Sequence, residues 1–292
     1  MTSRAFCPGH VTALFYAPGP GPSPEATGSR GAGVCVSLGA RATVDAGSTD
    51  ITEILPMEGG RIPPVVASAL GGYLERSPKP VTVRVGLELD LPVGQGFGMS
   101  GAMTFAALVA AEAELGLAGG DLDVLTAHAH VAEVMNRTGL GDVVAQAGGG
   151  IDLRRRPGLP PVGKVVHRRQ DAELLLAWGR VPLHTRSVLA DPVALQRLEA
   201  ACLPRLEALE EEPGLDWLLD AGRGFSEEAG LMSQDVRVMM SICSVHGKVS
   251  QVMLGNSIFA TGDRKAMGHA LGEAGFDWVV VSIDNEGVRR FD

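Results

Sequence analysis

Residues 91–102, LPVGQGFGMSGA, decide the fold of this chain. They follow a predicted strand and lead directly into 103–115, an Ala- and Leu-rich segment made of good helix formers. The stretch carries four glycines, which are Gly94, Gly96, Gly98 and Gly101. Glycine lets a backbone approach an anion closely, and the unpaired N–H groups at a helix start point towards it. The pattern indicates a phosphate-binding loop, with an ordinary glycine-rich turn as the alternative.

Ser100 lies at the predicted helix start. A hydroxyl at this position can cap the helix, bind a phosphate or ligate Mg²⁺. The loop lacks the Gly-Lys-Ser/Thr ending of a Walker A loop, and its glycines do not have the spacing of the dinucleotide-binding fingerprint. The sequence therefore excludes both of these loop types and leaves the ligand open.

The elements on either side of this loop predict a mixture of strands and helices. Alternation with period 2 predicts strands over 34–44 and 81–89, and a helix is expected over 64–76 between them. Another helix is expected over 121–135, because its first residue is an aspartate that can cap it. The proline- and glycine-rich stretch 17–33 predicts a long loop.

The second half of the chain mixes strands and helices without regular alternation, which favours an α+β fold over a doubly wound sheet. The proline-rich segment 154–164 predicts a domain boundary, so we expect one domain over 1–160 and another over 161–292. Strands are expected near 174–178, 249–254, 257–261 and 278–283, and helices near 192–210, 215–221, 226–246 and 263–275.

Length and composition limit the classes of function. The 292 residues are 45% hydrophobic and 20% charged, enough for about two domains. A net charge of −9 gives no basic surplus for nucleic acid, and no apolar run reaches the ~18 residues of a membrane span. No secretory signal opens the sequence, and the four widely spaced cysteines suggest neither a zinc site nor a disulfide framework. We therefore expect a cytoplasmic protein that binds neither membranes nor nucleic acid.

Three polar residues in the middle of the chain suggest chemistry. His130 and Glu133 are three residues apart and share a helix face, and Asp142 follows in a glycine-rich turn. A pair of carboxylates in this arrangement suits a hard cation and a proton acceptor. A solvated helix pair and a capping aspartate are the simpler alternative.

Two arginines are candidates for binding a carboxylate. Arg30 lies in a glycine-rich loop, and Arg154 opens a run of three arginines after a glycine-rich segment. A guanidinium fork holds a planar carboxylate with two hydrogen bonds. A surface charge is the alternative for each arginine. His10, which follows Cys-Pro-Gly, is interpreted as a loop histidine with satisfied hydrogen bonds.

Taken together, these motifs resemble those of the GHMP kinase superfamily of ATP-dependent kinases. Residues 91–102 are similar to its second motif, a phosphate-binding loop that enters a helix. Residues 4–18 resemble the first motif, in which a lysine often follows the Pro-Gly where this chain has His10. Residues 250–262 resemble the third motif, a glycine-containing loop beside the nucleotide.

Within the superfamily the chain most resembles the pantoate kinase family of archaea, through 28–33, 94–102 and 138–146. The resemblance covers nearly the whole chain. It implies a two-domain α+β fold, with an N-terminal domain like ribosomal protein S5 domain 2 and a ferredoxin-like C-terminal domain. It also implies transfer of the ATP γ-phosphate to the 4-hydroxyl of (R)-pantoate, a step towards coenzyme A, with Mg²⁺ as cofactor.

The same resemblance implies the site residues. The family's Mg²⁺ ligands fall on Ser100 and Glu133, and its catalytic aspartate falls on Asp142. The residues expected at the ATP phosphates are Gly94, Gly96, Phe97, Gly98, Met99, Ser100 and Gly101. The residues expected to bind the substrate are Ser29, Arg30, His130 and Arg154.

Other functions stay open at this point. The scaffold can phosphorylate another small hydroxy acid or a sugar, and fold analogy alone does not exclude this. A nucleotide-binding protein without catalysis is a further alternative, although intact Ser100, Glu133 and Asp142 argue against it. The expected partner is a small-molecule substrate. A homodimer is compatible with the sequence, which does not give the oligomeric state.

Overall fold

Two long antiparallel strands, β1 (Thr2–Tyr16) and β2 (Arg30–Ser48), form the centre of the first sheet. The structure is a computed structural model that describes residues 2–182, 192–209 and 213–291. The remaining strands of this sheet are β3 (Glu53–Pro56), β4 (Val81–Leu89), β5 (Ile151–Arg156), β6 (Lys164–Arg168) and β11 (Arg289–Arg290). The strands predicted over 34–44 and 81–89 are confirmed as parts of β2 and β4.

Four helices belong to the same part of the chain as this sheet, and the second helix packs against the two central strands. They are α1 (Pro64–Leu74), α2 (Met99–Leu115), α3 (Leu122–Asn136) and α4 (Asp142–Gly148). Helix α2 is buried almost all round, and it packs on both β1 and β2. Its many alanines have small side chains, which allow this close contact. A helix that is apolar on every face is stable only when it is enclosed by the protein, as α2 is here.

The start of α2 differs from the prediction. The helix begins at Met99, four residues before the predicted 103–115 segment, because Gly98 caps it in the left-handed conformation with φ 62°. Ser100 therefore lies in the first turn and does not cap the helix. By contrast, the predicted cap of α3 is confirmed, since the Asp121 side chain accepts a hydrogen bond from the N–H of Asp123 at 2.9 Å.

The second sheet has the order β10-β7-β9-β8 and is antiparallel throughout. Its strands are β7 (Glu173–Trp178), β8 (Gly247–Gln251), β9 (Ser257–Gly262) and β10 (Asp277–Ser282). Helices connect β7 to β8 and β9 to β10, and this βαββαβ order is that of a ferredoxin-like domain. These helices are α5 (Pro192–Glu207), α6 (Leu215–Ala229), α7 (Gln234–Ser244) and α8 (Arg264–Glu273).

The boundaries of α6 and α7 differ from the prediction. The expected break between 221 and 226 is wrong, because α6 continues to Ala229 and ends at Gly230, whose φ is 70°. Helix α7 then begins after Ser233, whose hydroxyl accepts a hydrogen bond from the N–H of Val236 at 3.1 Å. No helix within the described ranges is long and apolar enough to cross a membrane.

The first sheet contains strands from both sides of residue 160. Strand β6 pairs with β5, and β11 near the C-terminal end pairs with β1. The predicted division into 1–160 and 161–292 thus falls in the connection between two paired strands, and it stays a prediction.

A substitution at the end of α3 tests the local backbone. Arg137 caps this helix at φ 57°, and within the described residues it is the one non-glycine side chain with positive φ. The left-handed conformation is costly for a residue with a Cβ. We expect Arg137→Gly to raise the free energy of unfolding by about 1 kcal/mol, measured by urea denaturation. Arg137→Ala keeps the Cβ and serves as the control, so an equal gain in both variants would contradict this account.

Candidate active site

A cavity of about 490 Å³ lies where the predicted motifs meet. Its walls come from the glycine-rich loop, the end of α3, the turn before α4, strand β5 and the loop before β9. Representative lining residues are Gly98, Ser100, Gly139, Asp142, Arg154 and Met253. Segments far apart in the sequence therefore form one site.

The start of α2 faces this cavity. Met99 and Ser100 line it, and the N–H of Ala102 donates to the carbonyl of Gly98 at 3.0 Å, as the first bond of the helix ladder. The N–H groups of residues 99–101 precede that bond and lie at the positive end of the helix dipole. The N-terminus of α2 thus offers the hydrogen-bond donors that an anion such as phosphate requires.

Glycine is required in this loop for a reason that the sequence did not reveal. Gly96 has φ +84°, and a Cβ on it would lie 3.0 Å from the Cα of Gly255. Gly98 has φ +62°, and a Cβ on it would lie 3.0 Å from the Cβ of His10. Packing against the protein itself therefore requires glycine at both positions, before any anion is considered.

A hydroxyl–carboxylate cluster lies beside the helix start. The Glu133 Oε1 accepts hydrogen bonds from the Ser100 hydroxyl at 2.6 Å and the Thr138 hydroxyl at 2.7 Å. The other oxygen, Oε2, is buried and has no hydrogen-bond partner among the described residues. Burial raises the pKa of Glu133 from 4.5 to about 7, because the charged form loses water, and Asp142 adds to the rise.

This cluster fits a hard cation. A buried carboxylate oxygen without a partner, next to a hydroxyl, is the oxygen-rich environment that Mg²⁺ prefers. In the part of the chain that the structure describes, no three or more His, Cys, Asp and Glu side chains are grouped to hold a metal ion. Ser100 and Glu133 therefore fit a cation that takes its other oxygen ligands from a bound phosphate or water.

Asp142 belongs to a row of charged side chains that continues into the protein. Its Oδ1 lies 2.7 Å from the Nδ1 of His10, and the Nε2 of His10 lies 2.7 Å from the Oδ1 of Asp152. The Oδ2 of Asp152 in turn accepts a hydrogen bond from the Nη1 of Arg154. Burial raises the pKa of Asp152, but Arg154 and His10 outweigh this effect and lower the pKa to about 2.

The interpretation of His10 as a loop histidine is wrong. His10 lies inside β1 and is completely buried, with its ring between two carboxylates. Asp152 was missed altogether, although a charged residue inside the Ile-Asp-Leu run of a buried strand is an available signal. Such a residue is expected to have a charged partner.

The structure brings together two of the four predicted substrate residues. Ser29 and Arg154 both line the cavity, and both lie beside Gly141. A Cβ on Gly141 would lie 2.6 Å from the Ser29 hydroxyl and 2.7 Å from the Arg154 Nε. This Nε is buried without a hydrogen-bond partner in the described ranges.

The other two predicted substrate residues do not line the cavity. Arg30 donates from Nη1 to the Tyr16 hydroxyl at 3.1 Å, and its guanidinium lies 5.6 Å from the centre of the Tyr16 ring. His130 is buried, and its Nε2 donates to the carbonyl of Thr27 at 2.8 Å. Burial lowers the pKa of His130, since the charged form would lose its water. His130 is thus bonded to the long 17–29 loop, whereas Arg30 contacts the last residue of β1.

The third motif closes the cavity from the second sheet. Met253 and Leu254 line it, and the N–H of Met253 donates to the carbonyl of Thr12 at 2.9 Å. The hydroxyl of Ser257 donates to the carbonyl of Gln95 at 2.5 Å. This loop is therefore bonded both to β1 and to the glycine-rich loop.

Comparison with known proteins identifies the family. The sequence-family model described as the GHMP kinases N-terminal domain matches residues 65–150. A pantoate kinase of Methanospirillum hungatei is 30% identical over 268 residues, which cover 89% of this chain and 87% of that relative. The chain belongs to the pantoate kinase family of GHMP kinases. A pantoate kinase of Thermococcus kodakarensis is 32% identical over 272 residues, again covering 89% of this chain and 87% of the relative.

Solved structures agree with this assignment. A structure described as a phosphotransferase related to the CoA biosynthesis pathway has a TM-score of 0.85 and 26% identity, and covers 100% of this chain and 99% of its own. A homoserine kinase from Cytophaga hutchinsonii, 17% identical with a TM-score of 0.68, covers 99% of this chain and 97% of its own and supports the fold. The predicted two-domain GHMP kinase fold is confirmed.

The buried Glu133 predicts a pH dependence of stability in the metal-free protein. Because its folded-state pKa is raised from 4.5 to about 7, the folded protein keeps a proton that the unfolded chain loses between these values. The free energy of unfolding should therefore fall as pH rises through this window. Glu133→Gln lacks this loss, and we expect it to be more stable than the wild type by up to ~3 kcal/mol at pH 8.

Urea denaturation between pH 4 and pH 8 measures this difference, which should shrink towards pH 4. The exposed Glu75→Gln is the matched control and should follow the wild-type profile. Parallel profiles for wild type and Glu133→Gln would show that the Glu133 carboxyl keeps an ordinary pKa.

Proposed function

We propose that this protein is a pantoate kinase, which phosphorylates the 4-hydroxyl of (R)-pantoate with ATP and forms 4-phosphopantoate for coenzyme A synthesis. The observation that carries the proposal is the arrangement of the cavity in a chain similar to pantoate kinases over most of its length. One side of the cavity has the start of α2, which suits phosphates. Another side has Arg154, which suits a carboxylate, and Asp142 also lines the cavity.

In this proposal the ATP phosphates bind at the start of α2. The N–H groups of residues 99–101 donate to phosphate oxygens, and the helix dipole favours their negative charge. The loop before β9 covers this region, since Met253 and Leu254 line the same cavity. The glycine-rich loop packs against Gly255 and His10, so its path is fixed by the protein itself.

Mg²⁺ would be held by Ser100 and Glu133. When bound, the ion neutralises charge on the phosphates during phosphoryl transfer. The protein's own contribution is the buried Oε2 of Glu133, which lacks a partner among the described residues and would gain one.

In this proposal Asp142, which lines the cavity, receives the proton of the acceptor hydroxyl. In the reaction, the hydroxyl oxygen forms a bond to the γ-phosphorus while the bond from that phosphorus to the β,γ-bridging oxygen breaks, and ADP leaves. The hydroxyl proton passes to the Asp142 carboxylate, which is about one-quarter exposed to the cavity. Positioning and charge stabilisation supply most of the catalysis in reactions of this type.

The carboxylate of pantoate would bind Arg154 and Ser29. A protein with net charge −9 repels an anion at long range, so a local cation must face the pocket. Arg154 lines the cavity with one unpaired donor within the described part of the chain, and Ser29 supplies a hydroxyl close to it. Arg30 and His130 have no assigned contact with substrate here, because neither lines the cavity.

An ADP-release assay tests the function directly. The purified protein with ATP and Mg²⁺ is offered pantoate, mevalonate, homoserine and galactose, and only pantoate is expected to give rapid turnover. Preference for another acceptor would identify a different hydroxy acid or sugar. Thermal stabilisation by ATP without turnover on any acceptor would identify a nucleotide-binding protein.

A cytoplasmic location fits an ATP-dependent reaction. For the assembly we propose a homodimer.

The role of Asp142 is tested by Asp142→Asn. This variant keeps the size of the side chain but cannot accept the hydroxyl proton, so we expect kcat to fall by at least about 100-fold. ATP affinity, measured by calorimetry, should stay near that of the wild type. A variant with near wild-type kcat would remove Asp142 from the proton transfer.

The neighbouring arginines provide a matched pair for the substrate carboxylate. Arg154 is buried at the cavity, whereas the adjacent Arg155 does not line it. Loss of a charge-assisted contact costs roughly 10- to 150-fold in affinity. We expect Arg154→Ala to raise the pantoate KM by that factor and leave the ATP KM unchanged, while Arg155→Ala changes neither.

Steady-state kinetics of both variants measure these KM values, and unfolding curves show whether each variant is folded. If Arg154→Ala raises the ATP KM instead, the arginine binds phosphates.

A further inference from the structure

His10 is a buried histidine that lies between two carboxylates. It is completely buried, and both ring nitrogens lie 2.7 Å from carboxylate oxygens, Nδ1 from Asp142 and Nε2 from Asp152. Ionised carboxylates only accept hydrogen bonds, so each ring nitrogen must carry a proton to bond to its neighbour. With both carboxylates ionised, this geometry places an imidazolium cation between two anions.

The charges alternate along one row through the site. Asp142 carries a negative charge at the cavity, followed by His10, by Asp152 and finally by Arg154, which also faces the cavity. Both ends of the row therefore reach the substrate region, while its two middle members are buried. Because the four charges sum to zero, the row can be buried without a net charge.

The His10 ring has little room to turn. A Cβ on Gly33 would overlap the Nε2 of His10, and a Cβ on Gly98 would lie 3.0 Å from the Cβ of His10. The backbone N–H of His10 also donates to the carbonyl of Phe97 at 2.9 Å. The ring is thus clamped between β2 and the start of α2, and its two hydrogen bonds have fixed directions.

We propose that His10 is a positioning residue that couples the two halves of the acceptor site. Its Nδ1–H orients the Asp142 carboxylate towards the acceptor hydroxyl. Its Nε2–H orients Asp152, which in turn holds the Arg154 guanidinium ready for the substrate carboxylate. The proposal rests on the proposed kinase function, although the charge state of the ring does not depend on it.

The groups around His10 support this charge state. Asp142 faces it from α4 and Asp152 faces it from β5, while the Cys35 thiol of β2 is buried nearby and its pKa is raised by burial and by Asp152. Farther from His10, the charge of Asp142 raises the pKa of Glu133, while the charges of Arg154 and His167 lower the pKa of Asp152. Burial lowers the pKa of His10, but the two aspartates outweigh it and raise the pKa to about 9.

Two near-isosteric substitutions separate the two halves. The side-chain amide of asparagine places a donor near the Nδ1 of histidine, whereas that of glutamine reaches the region of Nε2. We expect His10→Asn to keep Asp142 oriented and to raise the pantoate KM roughly 10-fold or more, with kcat changed only a few-fold. We expect His10→Gln to lower kcat by roughly 10- to 100-fold, with a smaller change in KM.

Controls accompany these kinetics. The ATP KM should stay near the wild-type value in both variants, and His128→Gln, a half-buried histidine outside the cavity, should behave as wild type. The coupling is overturned if the two folded His10 variants show the same fall in kcat and the same rise in pantoate KM, or if neither variant changes either constant. If these variants fail to fold, Asp152→Asn replaces them and should raise the pantoate KM with little effect on kcat.

A spectroscopic measurement on the wild-type protein is independent of substrate. Nitrogen NMR of the histidine rings at pH 8, without nucleotide or metal, should show one histidine with both ring nitrogens protonated. The same signal should be absent from folded His10→Gln. A neutral His10 ring at this pH overturns the inference even if pantoate is the substrate. A wild type that shows the signal but does not use pantoate contradicts only the proposed function, and the KM and kcat comparison then uses the acceptor that the assay identifies.

Discussion

The contact between β1 and the start of α2 is the constraint on which the rest of the site depends. The amide nitrogen of Gln146 donates at 3.0 Å to the carbonyl of Pro8 in β1 and also to the carbonyl of Gly98 at the helix cap. The N–H of His10 donates to Phe97 beside them. These bonds fix the position of the helix N-terminus, the path of the glycine-rich loop and the depth of His10. A side chain at Gly98 would break the contact, because its Cβ would meet His10.

Burial of charge is the second constraint, and the protein meets it in two ways. His10 and Asp152 are completely buried but compensated, since each lies between groups of opposite charge. At Glu133 and Arg154, one polar atom of each remains without a partner among the described residues. An unpaired buried polar atom is costly and therefore rare in native proteins. In the proposed function, a cation would coordinate the Glu133 oxygen and an anionic substrate group would accept a hydrogen bond from Arg154.

Much of the site could be predicted because its residues lie in short local motifs. Ser100 is part of the glycine-rich loop, and Asp142 is part of the Gly-Leu-Gly-Asp turn, so each could be located without knowledge of the fold. Of the four residues predicted to bind substrate, only two line the cavity. Arg154 and Ser29 both lie beside Gly141, but Arg30 lies against Tyr16, which is 14 residues away in sequence and adjacent only through the pairing of β1 with β2.

The sequence by itself determined the α+β class, the glycine-rich loop that leads into a helix and the positions of the candidate carboxylates, because these follow from local periodicity, caps and glycine spacing. Only the tertiary structure decided that His10 lies between Asp142 and Asp152, which are 132 and 142 residues away in the chain. It also decided that α2 begins at Met99, since packing against β1 requires the left-handed glycine that caps it. The physical reason is the same in both cases. The charge and conformation of a buried residue depend on neighbours that the folding of distant segments supplies, and no local pattern in the sequence contains them.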